Sequence, residues 1–303
     1  MELRHLDALL AIDEEGSFTA AADTLSTVQS NVSEQVRQLE DELGARLLVR
    51  SRRGAQPTEC GDAVLDRARR IRRELEAMRA DLSMIQGLET GDASVGIVGT
   101  ASRWVVPPLV AELRSRAPGI RLRVVEGASE RLMADVASGE LAMAVVTEPV
   151  TNNRLVAETL LEEALVGVVP EGTPLPPPPV PLEALVARGL VLPARENPLR
   201  HEVEQVAAAQ GVELPVTVEV EGIRLVADLV AAGAGASVLP ETAVPYELGN
   251  VVAVPIAGMP PRRLALVTAR DGSLSLADAA VRVDLVGVVS RGWAFERSRA
   301  PRR

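Results

Sequence analysis

Lysine is absent from this 303-residue sequence, and all 32 basic positions are arginine. That looks like a codon bias of the source, and no mechanism follows from it. Cysteine is almost absent: Cys60 stands alone. A lone cysteine excludes an intramolecular disulfide, a two-cysteine thiol switch and a cysteine-built metal site. The two histidines, His5 and His201, are too few and too isolated for a metal centre or a catalytic dyad. Aromatic residues make up 2%, so the interior must be packed with Ala, Val and Leu. The start lacks a continuous apolar run. MELRHLDALLAIDEEG threads charges through its apolar residues, unlike a signal peptide or a membrane span. These absences point to a soluble, cytoplasmic protein with no cofactor.

What is present is aliphatic and acidic. Hydrophobic residues reach 47%, enough for substantial cores, and the length suits two or three domains at ~100–200 residues each. The net charge of -10 argues against a nonspecific nucleic-acid coat. Residues 1–90 hold 12 Arg and 17 Asp+Glu, a net of -5. Yet LGARLLVRSRRGAQPT (43–58) holds Arg46, Arg50, Arg52 and Arg53 with no acid, and RARRIRR (67–73) holds five arginines. Salt screens distant charges over ~8–10 Å, so a local basic patch acts even within an acidic molecule.

Leu3, Leu6, Leu9 and Leu10 fit a helix that stops at Gly16. Ser17 or Thr19 can cap a second helix over 20–25. After the polar break Ser26-Thr27 comes a third helix, 28–43, ended by Gly44. Val28, Val32, Val36, Leu39 and Leu43 fall on one side of it, and Ser30, Ser33, Glu34 and Arg37 on the other. Two short helices with a tight turn, the second presenting a polar face, form a helix-turn-helix. Gly54 and Pro57 follow the arginine-rich run and mark a small hairpin, or wing. Thr58 can cap a long helix in which Val64, Ala68, Ile71, Leu75, Met78, Leu82 and Ile85 recur at alternating spacings of four and three. That is a coiled-coil seam. It implies a partner, most simply the same helix of a second subunit. The arginines of 67–73 can pair with Asp62, Asp66, Glu74 and Glu76 at helical spacing, so they are not counted as nucleic-acid ligands. Gly87 and Gly91 end the helix.

Beyond Gly91, strands and helices alternate. Strands are expected at 94–99, 120–126 and 141–146, with helices at 104–114 and 129–137. The pattern restarts with strands at 164–169, 190–192, 216–220 and 237–239, and helices at 199–209 and 223–232. Alternation predicts parallel sheets covered on both faces, in two α/β subdomains with a cleft between them. PLPPPPVP (174–181) reads as an extended loop, 276–289 as a helix returning to the first subdomain, and RSRAPRR (297–303) as a disordered tail.

MELRHLDALLAIDEEGSFTAAADTL, TVQSNVSEQVRQLEDELGARLLVR and PTECGDAVLDRARRI, with PGIRLRVVEG, SGELAMAVV and VADLVAAGAGASVLP further on, resemble the LysR-type transcriptional regulators. The resemblance covers nearly the whole chain and is strongest over 1–87. It implies an N-terminal all-α winged helix-turn-helix (1–58) and a dimerising linker helix with its hinge (59–90). An α/β effector domain like periplasmic binding proteins follows, with subdomain I at 91–161 plus 268–303 and subdomain II at 162–267. It also implies a sequence-specific regulator of double-stranded DNA, reading an interrupted dyad as a dimer or a dimer of dimers, with RNA polymerase a further partner. Where many members carry a basic residue, this chain has Glu34. Glu34 either accepts from a cytosine amine or is turned away from the backbone.

The expected DNA ligands are Gln29, Ser30, Asn31, Ser33, Glu34 and Arg37 on the recognition helix and Arg50, Arg52 and Arg53 on the wing. Gln and Asn suit adenine, Arg37 suits guanine or a phosphate, and the wing arginines suit phosphates or the minor groove. An ordinary solvated helix face and a solubilising charge run are the plain alternatives. For a small-molecule effector, the turn Gly99-Thr100-Ala101-Ser102-Arg103 offers hydroxyls and amides at a helix N-terminus, which favours an anion. Thr100, Ala101, Ser102, Ser129, Thr147, Asn197, Gly222 and Ile223 are the candidates, and the resemblance implies that these positions face the cleft. Plain capping is the alternative for each hydroxyl, surface salt bridges for Arg103 and Arg200, and core packing for Trp104, which could otherwise wall the pocket. An enzyme reading rests on GAGAS (233–237), which lacks a third glycine and leads into a strand rather than a helix. No nucleophile–base pair accompanies it.

Overall fold

The computed structural model describes residues 1–51, 54–85, 90–244 and 250–299. Arg52 and Arg53 of the expected wing, Gly87 of the expected hinge and residues 300–303 of the expected tail lie outside these. The chain forms two compact units, Met1–Arg79 with Ser138–Glu140, and Ala80–Ala137 with Leu141–Arg303.

In the first unit, α1 (Leu3–Glu15) stops at Gly16, whose φ of 68° suits a residue without Cβ. Ser17 caps α2 (Phe18–Thr24), its Oγ accepting from the Ala20 amide at 3.1 Å. Ala21 and Ala22 let α2 pack closely, and with the α1 leucines they bury Val32, Val36 and Leu39 of α3 (Gln29–Leu43). Val28 and Leu43, expected in the same stripe, are 64% and 43% exposed. They stand at the N-cap and the last turn of α3, beyond the reach of a three-helix core. The hairpin β1 (Leu48–Ser51) and β2 (Gly54–Pro57) pairs Leu48 with Pro57 and Ser51 with Gly54. Its root is tied to α3, because Glu40 Oε1 accepts from the Leu47 and Leu48 amides at 2.7 and 3.2 Å.

Thr58 Oγ1 accepts from the Gly61 amide at 3.0 Å and so caps α4 (Glu59–Ile85). The 27 residues of α4 span ~40 Å. The expected seam divides along it. Ala68 is 1% exposed within the first unit's core, and Val64 packs against that core. These two positions are therefore corrected from dimer contacts to internal packing, since the first turns of α4 complete a core that three short helices leave open. Leu75 is half-buried. Ile71, Met78, Leu82 and Ile85 are 38%, 53%, 53% and 76% exposed, an open apolar stripe. The arginine run also differs from expectation. Arg69 and Arg72 bond Asp13 and Glu14 of α1 at 2.5 and 2.8 Å, while Arg69 stands 3.7 Å from Asp66 on its own helix.

In the second unit, β3 (Thr90–Val98), α5 (Gly99–Arg116), β4 (Gly119–Gly127), α6 (Ser129–Ser138) and β5 (Met143–Thr147) alternate. They are followed by β6 (Leu155–Glu163), β7 (Leu165–Pro170), α7 (Leu182–Val186), β8 (Leu190–Pro193) and α8 (Pro198–Gln210). Then come β9 (Val216–Val220), α9 (Ile223–Ala231), β10 (Ser237–Pro240), β11 (Val251–Pro255), β12 (Arg262–Ala269) and α10 (Leu276–Arg299). The first sheet runs β4-β3-β5-β12-β6. Its β4-β3-β5 part is parallel, but β12 is antiparallel to both neighbours. In the second lobe β7 lies antiparallel between β10 and β11, while β8-β9 is parallel, as are the isolated bridges Val180–Ile256 and Leu190–Ala236. The expected all-parallel sheets are thus mixed, because strands returning from the other lobe enter from the opposite direction.

Two cores result, one drawing on residues 93–161 and 264–289, the other on 165–256. Residues 162–163 and 262–267, assigned by sequence to subdomain II, belong to the first sheet. Among the described residues no helix is long and apolar enough to cross a membrane.

A Cβ on Gly61 would stand 2.1 Å from the backbone oxygen of Leu47. Gly→Ala inside a helix ordinarily gains ~1 kcal/mol. Gly61→Ala is expected to lower the melting temperature of the first unit instead, because a backbone atom cannot step aside; calorimetry of the variant checks this.

Candidate functional site

The first unit presents the polar side of α3. Gln29, Ser30, Asn31 and Arg37 are exposed, and Ser33 and Glu34 are half-buried. Ser30, Ser33, Glu34 and Arg37 share a concave surface with Arg46 and Val49 at the wing's root. Asn31 Nδ2 donates to Thr27 Oγ1 at 2.9 Å. Arg37 is not an open cation. Its Nε and Nη2 donate to the two Glu34 oxygens at 2.9 and 2.6 Å, and its Nη1 to Asp41 at 2.7 Å. Gln38 also donates to Glu34, at 2.8 Å. The Arg37 hydrogen bond, seconded by Gln38, lowers the Glu34 carboxyl from its ordinary 4.5 to about 2. One arginine between two carboxylates leaves this stretch of α3 negative. Arg50 lies on β1 opposite Ala55.

The second unit holds a cavity of about 500 Å³. It is lined at the C-terminal ends of strands and the N-terminal ends of helices, the usual ligand position in open α/β sheets. Gly99 and Thr100 open α5, Ser129 opens α6, Asn197 and Pro198 open α8, and Gly222 and Ile223 open α9. Thr147 closes β5. Ala101 and Ser102 are corrected: neither is among the lining residues. α5 begins at Gly99, five residues earlier than expected, so its turn carries Ala101 into the core, where it is fully buried. Buried Ser102 donates to Glu126 at 2.5 Å. Trp104 packs against the first core and is likewise not part of the wall. Several hydroxyls and amides among the candidates serve the fold. Asn197 Oδ1 accepts from the Leu199 amide at 3.0 Å, and Ser129 Oγ accepts from the Thr147 amide at 3.0 Å. Arg200, expected in a surface salt bridge, is buried and held by Glu204 at 2.7 Å.

The lining also contains Glu126, Glu196, Glu221 and Arg262, which sequence reasoning missed. Glu126 and Glu221 stand at or just after the ends of correctly expected strands, so the strand-end position was a usable signal. Arg262 gave none, because β12 was not recognised. Arg262 is buried on buried Glu163, with Nε and Nη2 both 2.7 Å from Oε1. Its Nη2 also donates to Thr100 Oγ1 at 2.7 Å, and Thr242 donates to the other Glu163 oxygen. Nearby Glu202 on α8 has a buried Oε2 without a hydrogen-bond partner. Burial pushes its carboxyl up; Arg262 opposes this and Glu163 adds to it.

Compared with known proteins, residues 3–62 match the bacterial regulatory helix-turn-helix protein pattern of the lysR family, and residues 86–283 match the LysR substrate binding domain. Nitrogen assimilation regulatory protein nac of Klebsiella aerogenes is 31% identical over 299 residues, 96% of each chain. The DNA-binding transcriptional dual regulator OxyR of Escherichia coli strain K12 is 27% identical over 276 residues, 90% of each. Full-length OxyR from Pseudomonas aeruginosa shares the fold, with a TM-score of 0.72 at 22% identity over 95% of this chain and 94% of that one.

Two titrations check the electrostatics. Glu34 should titrate at about 2 by NMR and return toward 4.5 in Arg37→Ala. Its pKa is depressed on folding, so its small, solvent-screened contribution is present above 4.5 and lost as pH falls through about 2. Glu202 behaves oppositely. Its raised pKa means the folded state holds a proton the unfolded state releases, so stability declines as pH rises from about 4.5 through the raised value. Glu202→Gln should remove that decline, raising the melting temperature at pH 8 and leaving it unchanged near pH 4.

Proposed function

Since the chain belongs to the LysR family of DNA-binding transcriptional regulators, with a helix-turn-helix domain and an effector-binding domain, we propose that it reads an interrupted dyad as a homodimer and answers to a small molecule seated in the cavity of its second unit. The open stripe Ile71, Met78, Leu82 and Ile85 carries this reading. It lies on the helix whose first turns are built into the reading head's core. Pairing two such stripes buries them and sets two α3 helices one or more helical turns apart.

On each head, Gln29, Ser30, Asn31 and Ser33 meet base edges, and Arg50, Arg52 and Arg53 meet phosphates from the wing. The clamp on Arg37 ties the role of that residue to Glu34. Glu34 faces the DNA with it, either accepting from a cytosine amine while Arg37 takes a phosphate, or keeping Arg37 off noncognate sequences. Ligand binding favours one closure of the lobes by its differential affinity. Closure then changes how subunits pack, in a dimer of dimers, and how far the DNA bends. RNA polymerase is the expected recipient of that change, and the cytoplasm, where the DNA lies, its setting.

Met78→Glu with Leu82→Glu should yield a monomer by analytical ultracentrifugation and weaken dyad binding roughly 100-fold, since avidity of linked heads is worth ~10²–10⁴. Unchanged binding by that monomer would overturn the dimer reading. Glu34→Gln should tighten binding to random duplex and steepen its salt slope by about 1, the value of one added phosphate contact. A Cβ on Gly222 would meet nothing within 4 Å, so there is room for a larger side chain at the cavity wall. Gly222→Trp should fill the cavity and abolish the ligand response while leaving salt-dependent DNA binding intact, as gel shifts would show.

A further inference from the structure

We infer that the molecule bound in the cavity carries a positive charge, as a small amine or guanidine whose cationic group sits against Glu196 and Glu221. This rests on the reading of the cavity as the effector site and names its ligand class.

Charge on the lining carries the inference. Among its described residues are three carboxylates, all exposed, from the end of β4, the approach to α8 and the turn between β9 and α9. The cation among them is Arg262. Its Nε and Nη2 are already engaged 2.7 Å from Glu163 Oε1, a carboxylate with no exposed side-chain surface. Glu163 thus balances the Arg262 charge, and Nη2 is shared with Thr100 Oγ1, so a ligand carboxylate would meet a guanidinium that is already compensated. The other anion seat expected from sequence, the N-terminus of α5, is approached from within the chain. A Cβ on Gly99 would lie 3.3 Å from Glu126 Oε1 and 3.6 Å from Ile223 Cγ2. The Glu126 carboxylate therefore stands beside the first turn of α5, where the helix dipole favours a negative charge. At α8, Asn197 supplies the cap. Glu126 and Asn197 thus meet two of the helix N-termini from within the chain, and carboxylates outnumber cations among the described lining residues. Val98, Leu199 and Ile223 add an apolar wall suited to a short hydrocarbon chain. A volume of about 500 Å³ lies within the ~300–1,000 Å³ of small-molecule sites.

The test uses the full-length chain and two probe sets of similar size: 1,4-diaminobutane and agmatine against succinate and glutarate. Calorimetric titration should show binding of at least one amine and of neither diacid. Glu196→Gln with Glu221→Gln, both at exposed positions, should weaken that amine at least tenfold without moving the unliganded melting curve. Binding of the diacids alone, abolished by Gly222→Trp, would overturn the charge assignment while sustaining the cavity as the ligand site. Amine binding that survives both the glutamine variants and Gly222→Trp would overturn the two together. Silence from both amines would also reject the assignment.

Discussion

Glu163 and Arg262 face each other where the chain leaves the first lobe of the second unit and where it returns. β6 ends on one, β12 begins on the other, and the two are register partners. Both side chains are withdrawn from water, so each would be costly alone and neither can leave without the other. Thr242 and Thr100 complete the arrangement, and Thr100 brings it to the mouth of the cavity. One buried pair thereby joins the two crossings of the chain and brings a compensated arginine to the cavity lining.

The same economy recurs elsewhere. Arg37 is held by Glu34 and Asp41, Arg69 by Asp13, Arg72 by Glu14, and Arg200 by Glu204. A chain of 32 arginines and net charge -10 spends much of its positive charge on its own acids. In the first unit this ties α4 to α1 and leaves α3 with a polar face whose one arginine is restrained. Attraction of this stretch to any phosphate backbone is correspondingly reduced.

Much of the architecture was legible because it is written in local signals. Gly16 and Gly44 end helices at left-handed positions, Ser17 and Thr58 cap, and the 3.6-residue period of α3 survives in Val32, Val36 and Leu39. β6 escaped because it is an edge strand, mostly exposed and without clean alternation. β12 is antiparallel to partners about 100 or more residues distant, a pairing that no local pattern announces. Of the candidate cavity residues, cap and turn chemistry located those at helix starts, and the family resemblance implied that they face a cleft. Ala101 and Ser102 were misplaced because helix ends are the least certain feature of a periodicity, and beginning α5 at Gly99 puts both residues within the helix and turns them into the core.

Sequence by itself determined the helix-turn-helix, the long seamed helix and the alternating α/β half, since periodicity, capping and glycine stops act within a few residues. Tertiary structure alone decided how that seam is shared. Ala68 turns inward and Met78 outward on one heptad stripe because the core they border exists only once α1, α2 and α3 have packed. It also decided which charges line the cavity and which are compensated there, for a charge counts by what lies within a few ångströms of it, and Glu163 meets Arg262 across 99 residues of chain.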